Sequence, residues 1–481
     1  MRRKSIIEFL TKRWNVFSGN EGWIDSITSN DDQLTEINSP PDGCIGWGKV
    51  DKIGKILKSS KVIGRGSNGT IVYEGTYDGR LAAVKRLVLT DPDDVALREI
   101  DILMTSDRHQ NIVRYYGKEK DQHFVYLALE LCTCSLDDLI QAYSDSSNNP
   151  GFPDDPASTD GYKIKLASVR AMMPGVTLRR VDGKPSPLLL QLMRDVVLGL
   201  SELHRLRVIH RDLKPNNVLI TKNPFGAKLS DMSISTFLPD GRSSLGSHAT
   251  SCGTRGWQAP EQLLHSKCQK QAMDLFSLGC VLFFCITGGK HPFGANIERD
   301  VNIASNKMDL FLVKDMPEAY HLFSHLLSHD PELRPTALEV LDHPFFWSSK
   351  MRLTFLHDVS DEVESEARKG NSDLEKLENI AQLVFDGNWI EKIDEVVMDD
   401  LRRHRRKPYV GSSVEDLLRV VRNKFNHSGT APKEVEVILG SDANGLDAYF
   451  TKRFPKLLIE SYKVVSQSCK KKKLLAGVLS K

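Results

Sequence analysis

Six short motifs, in fixed order and widely spaced, limit what this chain can fold into more than any other feature. They are GRGSNG (64–69), AAVK ending at Lys85, a glutamate at position 99, HRDLKPNN (210–217), LSD ending at Asp231, and APE (259–261), with Arg334 beyond them. A lone G-x-G-x-x-G says little, because glycines punctuate many turns. Here it lies between two strand-like stretches rather than ahead of a helix, which argues against a dinucleotide-binding unit. Strand-like alternation starts near Ile56 and runs through IVYEGTY and LAAVKRL. A helix is predicted next, with Asp91 as its cap, Pro92 in its first turn, and Val95, Ile102 and Leu103 as its apolar stripe. NIVRYYG and FVYLALELC add strands, so a small sheet carrying one helix is expected. Helical segments then run from Leu136 to Trp347.

Over about residues 58–347 these motifs resemble the protein kinase family, which implies the bilobal α+β kinase fold with ATP and Mg²⁺ as cofactors. The resemblance places Gly64, Gly66, Gly69 and Ile71 at the nucleotide, where small residues let backbone amides approach phosphates. It implies that Lys85 holds the α- and β-phosphates while pairing with Glu99. Asp212 would orient the attacking hydroxyl and accept its proton, and Lys214 would support the γ-phosphate. Asn217 and Asp231 would hold the metal, since hard cations favour carboxylate and amide oxygens. Glu261 and Arg334 are expected to form a structural ion pair. One position departs from the family: Asp231-Met232-Ser233 stands where kinases usually carry Asp-Phe-Gly. The chelating acid is kept, and Met232 is apolar and flexible enough to fill the Phe pocket. Ser233 adds a Cβ that would hinder a flip of the segment. Two readings follow: a tolerated variant, or a kinase that binds nucleotide and transfers phosphate slowly. Between Asp231 and Glu261, Ser243, Ser244, Ser247 and Thr250 are candidate phosphorylation sites, with Arg211 as a candidate phosphate partner.

A second constellation lies downstream, in SVEDLLRVVRNKFNHSG (413–429). Ser413 and Asp416 read as a capping box, with Asp in place of the usual Glu. Val414, Leu417, Leu418, Val421 and Phe425 follow helical spacing and define a buried face. Arg419, Arg422, Asn423, Asn426 and His427 fall on other faces, and Asn423 and His427, four apart, are neighbours. Gly429 and Pro432 end the helix, leaving the histidine at a helix terminus. Upstream, LRRHRRKPY (401–409) is strongly basic and ends in Tyr409. A basic run is usually a solvated face, and a lone exposed histidine is usually no more than that. Together they suit a phosphodiester backbone.

With FLHDVSDEVE, RRKPYVGSSVEDLLRVVRNK and GLDAYFTKRFPKLL, this tail resembles the KEN ribonuclease domain of the inositol-requiring-enzyme family, the kinase/endoribonucleases of the unfolded protein response. The resemblance implies an all-α domain over 348–467 and places Tyr409, Arg422, Asn423 and His427 on nuclease positions. RNA can be cut without a metal when its 2′-hydroxyl attacks the adjacent phosphorus, given a base, an acid and cations. His427 is assigned as general acid, Tyr409 as base or 2′-hydroxyl positioner, and Arg422 and Asn423 as phosphate holders. DNA, lacking the 2′-hydroxyl, should resist. The resemblance also implies a homodimer or higher oligomer with RNA as substrate, and a heterodimer with a full-length relative as another option.

Composition sets outer bounds. The chain has 481 residues, 40% hydrophobic and 27% charged, which fits a folded protein of two to three domains. A net charge of +2 marks no global attraction to nucleic acid or membrane. No run of eighteen apolar residues predicts a membrane span, and no lumenal sensor is apparent. DLFSLGCVLFFCITGG (274–289) reads as a buried helix. Eight scattered cysteines without a C-x-x-C pair read as reduced thiols. The predicted layout is a flexible leader (1–57), a kinase domain (58–347) with a loop insertion over 143–187, the ribonuclease domain (348–467) and a basic tail (468–481). The chain as it stands is expected in the cytoplasm, with the cytosolic face of the endoplasmic reticulum reachable through a partner. Alternatives are a pseudokinase-regulated nuclease in which ATP is only a ligand, and a kinase with a non-catalytic docking tail.

Overall fold

The structure is a computed structural model. It describes residues 49–66, 69–88, 94–144, 156–239, 241–242, 244, 253–264, 270–367, 373–403, 408–427 and 431–467. The leader up to residue 48, the cap Asp91 with Pro92, Ser243, Ser247, Thr250, Gly429, residues 404–407 of the basic run and the basic tail lie outside the described residues. The chain forms two compact units. One comprises the described chain up to Leu312 together with Leu322–Leu341, and the other Val313–His321 together with the chain from Asp342 onward.

The first unit opens with a six-stranded antiparallel sheet of spatial order β1-β2-β3-β4-β6-β5. Its strands are β1 (Val50–Ile53), β2 (Ile56–Arg65), β3 (Ile71–Tyr77), β4 (Arg80–Val88), β5 (Tyr115–Lys120) and β6 (Phe124–Glu130). Ile56, Tyr73, Ala82, Val84, Tyr126 and Ala128 form the sheet's own core, as the two-residue side-chain period of strands requires. The helix Asp94–Ser106 buries Ile102 and Leu103 as the sequence predicts.

The rest of this unit is mostly helical. Ser186 caps the long helix Pro187–Arg205, its hydroxyl accepting from Leu189 N at 3.1 Å, and Pro187 occupies the first turn. Its stripe of Leu189, Leu192, Met193, Val196, Val197, Leu200 and Leu203 is buried. Gly199 lets this helix lie against backbone: a Cβ there would come within 2.5 Å of the Asn111 carbonyl oxygen. The apolar stretch forms the helix Ala272–Thr287, buried along most of its length and ended by Gly288 at φ +68°. The span 143–187, expected as a loop insertion, contains the helix Pro156–Met172. Leu166, Val169 and Met173 recur three to four residues apart and are buried, which is why this stretch is helical despite its Ser, Asp, Pro and Gly content.

The second unit shows only helices and turns among its described residues. The helices Ser349–Ala367 and Val414–Asn426 pack along each other, with Asp373–Glu378, Glu395–Arg403, Lys433–Leu439 and Ala443–Arg453 around them. The core centres on Trp389 and on Leu353, Leu356, Leu417, Leu418, Val420 and Val421.

Candidate functional site

The glycine loop joins β2 to β3. Gly64 pairs with Val72 and Arg65 with Ile71, so the loop closes a two-stranded ribbon. Gly66 N–H donates to the Thr70 carbonyl at 2.9 Å, and Gly69 turns at φ +74°, a conformation that favours glycine. Ile71 packs at the edge of the sheet core beneath the loop.

Lys85 projects from β4 between two acids. Its ammonium lies 2.6 Å from Glu99 Oε1 and 2.8 Å from Asp231 Oδ1, with the Lys85 and Glu99 side chains 7% and 1% exposed. Burial opposes the lysine charge, but the two carboxylates hold its pKa above the ordinary lysine value. Burial likewise opposes the Asp231 charge, and Lys85 overcomes it, so Asp231 sits well below the usual carboxylate range. A hydrogen bond from Ser233 adds to this. Asp231 adopts φ +60°, which non-glycine residues rarely do outside functional or strained sites. Met232 is fully buried, as its apolar character predicts, and its sulfur accepts from Ser235 Oγ at 3.5 Å. Its backbone N–H donates to Glu99. The departure from Asp-Phe-Gly therefore leaves the acid in place, and the added serine hydroxyl bonds to it.

Asp212 is held on every side. Its Oδ1 accepts from Thr254 N and Thr254 Oγ1, both at 2.7 Å. Its Oδ2 accepts from Lys214 Nζ at 2.7 Å and Asn217 Nδ2 at 3.0 Å. Asn217 spends its amide nitrogen on Asp212, which leaves its amide oxygen available to a cation. Ser230 N–H donates to the Asn217 carbonyl at 2.9 Å, which sets Asn217 beside the Asp231 strand end. These oxygens fit a hard divalent cation, and Lys85 with the glycine loop fits nucleotide phosphates. The segment 210–217 that carries Asp212 and Asn217 is anchored by Asp274, which accepts from His210 N at 2.8 Å, Arg211 N at 2.9 Å and His204 Nε2 at 3.0 Å. Glu261 and Arg334 form the expected bidentate pair, at 2.6 and 2.9 Å.

In the second unit, the residues from Tyr409 to His427 gather at the turn and helix Val414–Asn426. Asn423 Nδ2 donates to the Tyr409 hydroxyl at 3.4 Å. Tyr409 packs edge-on against Trp389, ring centroids 5.9 Å apart. Trp389 Nε1 donates to the carbonyls of Val410 and Ser413 at 3.1 and 3.0 Å, fixing the turn. His427 is the C-terminal cap, its N–H donating to Asn423 O at 3.1 Å, and its side chain is exposed. The Ser413 hydroxyl accepts from Asp416 N at 3.2 Å, so the predicted N-cap forms. Asp416 turns elsewhere, accepting from Val410 N at 2.7 Å and Arg419 Nη1 at 2.7 Å. Arg422, read as a phosphate holder, is bound by Asp361 Oδ1 at 2.8 Å and Glu364 Oε2 at 2.7 Å. Lys424 is buried and paired with Asp400, so the helix's inner face is wider than its apolar spacing indicates.

A protein kinase domain model matches residues 57–346, and a Ribonuclease 2-5A model matches 352–479. Over 428 residues the chain is 53% identical to serine/threonine-protein kinase/endoribonuclease IRE1a of Arabidopsis thaliana, a match covering 88% of this chain and 50% of that protein. With human serine/threonine-protein kinase/endoribonuclease IRE2 it shares 39% identity, covering 87% of this chain and 42% of that one. With the inactive serine/threonine-protein kinase/endoribonuclease IRE1-like protein of Arabidopsis thaliana it shares 38% identity over 86% of this chain and 77% of that protein.

The chain belongs to the inositol-requiring-enzyme family.

It spans about half the length of the first of these family relatives. Several residues that hold these candidate site residues were not singled out from sequence. Thr254 shares Asp212 with Lys214, yet a threonine before APE carries no local signal. Asp274 left a clue, as the one acid opening an otherwise apolar run. Glu378 left none: it accepts from Ser413 Oγ, Val414 N and Glu415 N at 2.8, 2.9 and 3.0 Å, and so seats the start of the helix Val414–Asn426.

Proposed function

We propose that this chain is a serine/threonine kinase that autophosphorylates and, as a dimer or higher oligomer, activates its own C-terminal endoribonuclease. The observation that carries the reading is the pairing of two organised sites in one chain: Lys85 between Glu99 and Asp231, and Asn423 at Tyr409 with His427 one helical turn on. In the kinase half, Lys85 and the glycine loop hold ATP, while Asn217 and Asp231 hold Mg²⁺. Asp212 takes the proton of the attacking hydroxyl, and Lys214 steadies the transferring phosphoryl group.

In the nuclease half the 2′-hydroxyl attacks the neighbouring phosphorus without a metal. Tyr409 positions or deprotonates that hydroxyl, Arg422 and Asn423 hold the phosphate, and His427 protonates the leaving 5′-oxygen. The products are a 2′,3′-cyclic phosphate and a 5′-hydroxyl. A Schizosaccharomyces pombe relative, 36% identical, is named a sensor for unfolded proteins in the ER, and mRNA processing in that response is the setting proposed here. No described helix is long and apolar enough to cross a membrane, and a full-length relative would bring this chain to the endoplasmic reticulum.

The second reading, a nuclease gated by ATP as a ligand alone, is favoured by Met232-Ser233 in the metal segment. The test is cleavage of a short stem-loop RNA by the full chain at rising protein concentration, first with ATP·Mg²⁺ and then with EDTA added after the chain has been phosphorylated. Cutting that rises with concentration, persists in EDTA and disappears in His427→Ala supports the nuclease. Autophosphorylation without cutting at any concentration leaves a kinase with a docking tail.

A further inference from the structure

We propose that Asp361 and Glu364 are positioning residues of the ribonuclease site, gripping one amino group of Arg422 so that the other edge of its guanidinium faces the phosphate. The proposal rests on the nuclease reading above. Asp361 and Glu364 stand three apart on the helix Ser349–Ala367, so they share a face, and that face meets the helix Val414–Asn426. Both carboxylates accept from the same nitrogen, Arg422 Nη1, at 2.8 and 2.7 Å. The Arg422 side chain is only 14% exposed.

The choice of nitrogen decides what these acids do. A guanidinium carries five N–H donors in a rigid fork. Acids that mimicked the substrate phosphate would take the parallel donors of Nε and Nη2, the edge that matches a phosphate bidentately. Among the described residues, every side-chain hydrogen bond of Arg422 runs instead through Nη1. The bidentate edge is left for a phosphate, on a side chain that can no longer swing. The next residue, Asn423, reaches Tyr409, and its carbonyl receives the backbone N–H of His427.

Folding alone gives a weak reason for the pair. Asp361 is 52% exposed and Glu364 33%, and ion pairs this open to solvent contribute little to stability. Two carboxylates beside an RNA site also repel the backbone, a cost that positioning offsets. Asp361 extends the arrangement backward: its Oδ2 lies 3.6 Å from His357 Nδ1, and His357 packs edge-on against Phe425 of the nuclease helix.

The experiment measures kcat and KM for RNA cleavage by the full chain, at concentrations where the wild type cuts. Asp361→Asn, Glu364→Gln and the double variant are compared, each also in an Arg422→Lys background. A loosened phosphate ligand should lower kcat of the double variant roughly ten- to a hundredfold, with KM within about threefold. In the Arg422→Lys background the same changes should alter kcat by less than about threefold, because the acids act through the arginine. Melting temperature and ATP binding are followed in parallel, and Glu364→Gln alone is read if the double variant does not fold. Wild-type kcat in the double variant overturns the proposal, as does tighter RNA binding with faster cutting. Loss of activity that tracks loss of melting temperature also overturns it. A wild type that cuts no RNA sinks the nuclease reading itself, and that result precedes any comparison of variants.

Discussion

Asp195 carries a buried carboxyl behind the strand that leads to Asp231. It lies on the helix Pro187–Arg205 and accepts from Ala227 N at 3.0 Å, bracing the strand Phe225–Leu229 that leads to Asp231. Burial pushes its pKa up to about 6, against hydrogen bonds from Ala227 and Asn111. A carboxyl raised above its unfolded value binds its proton more tightly in the native state. Its favourable contribution is therefore full below about pH 4 and lost as pH rises through 6. Asp195→Asn should accordingly raise stability on the order of 2 kcal/mol at pH 7.5 and not at all near pH 4. Urea melts at the two pH values check this, and a gain equal at both would show that charge is not the cause. The same balance of burial against partners resolves differently at Lys85 and Asp231, where opposite charges in contact keep both groups ionised.

Among elements, the helix Pro187–Arg205 is placed by a residue it does not have. Gly199 is a poor helix former, so Gly199→Ala would gain up to about 1 kcal/mol from propensity alone. The added Cβ would meet the Asn111 carbonyl oxygen at 2.5 Å and Leu229 Cγ at 3.0 Å. Overpacking against backbone should outweigh propensity, for a net loss of about 1–2 kcal/mol. A thermal melt showing net stabilisation would contradict this packing. Elements like this one were legible because their apolar residues repeat at helical or strand spacing. The same holds for Val414, Leu417, Leu418 and Val421 in the nuclease helix. Pro156–Met172 was missed because its polar start reads as loop, while its buried Leu166 and Val169 come only in the second half. At the sites, several motif residues lie in contact, Lys85 with Glu99 and Asp231 and Asn423 with Tyr409. Their other partners were not legible, because Thr254–Asp212, Glu378–Ser413 and Asp361–Arg422 join residues distant in sequence, and no periodicity reports a hydrogen bond.

Across the whole molecule, the two chemistries should separate. His427→Ala is expected to abolish RNA cutting and leave autophosphorylation within about twofold, since the His427 side chain is exposed at the end of its helix. Asp212→Asn keeps Lys85, Asn217 and Asp231, so ATP should still bind while phosphoryl transfer falls by at least about a hundredfold. RNA cutting by this second variant then divides the two readings: retained cutting means ATP acts as a ligand, and lost cutting means phosphorylation is required. A radiolabelled autophosphorylation assay and a gel-resolved RNA assay on the same preparations supply both answers. The parts themselves are distributed very unevenly. The residues proposed for phosphoryl transfer are gathered from strands, loops and a helix between residues 64 and 231, whereas those proposed for RNA cutting fall between 409 and 427, on one turn and one helix. The proposed nuclease chemistry would thus be portable in a way the proposed kinase chemistry is not. A cassette of that length, exchanged between relatives, should carry its RNA preference with it, provided the recipient offers acids at positions 361 and 364 to receive the incoming arginine.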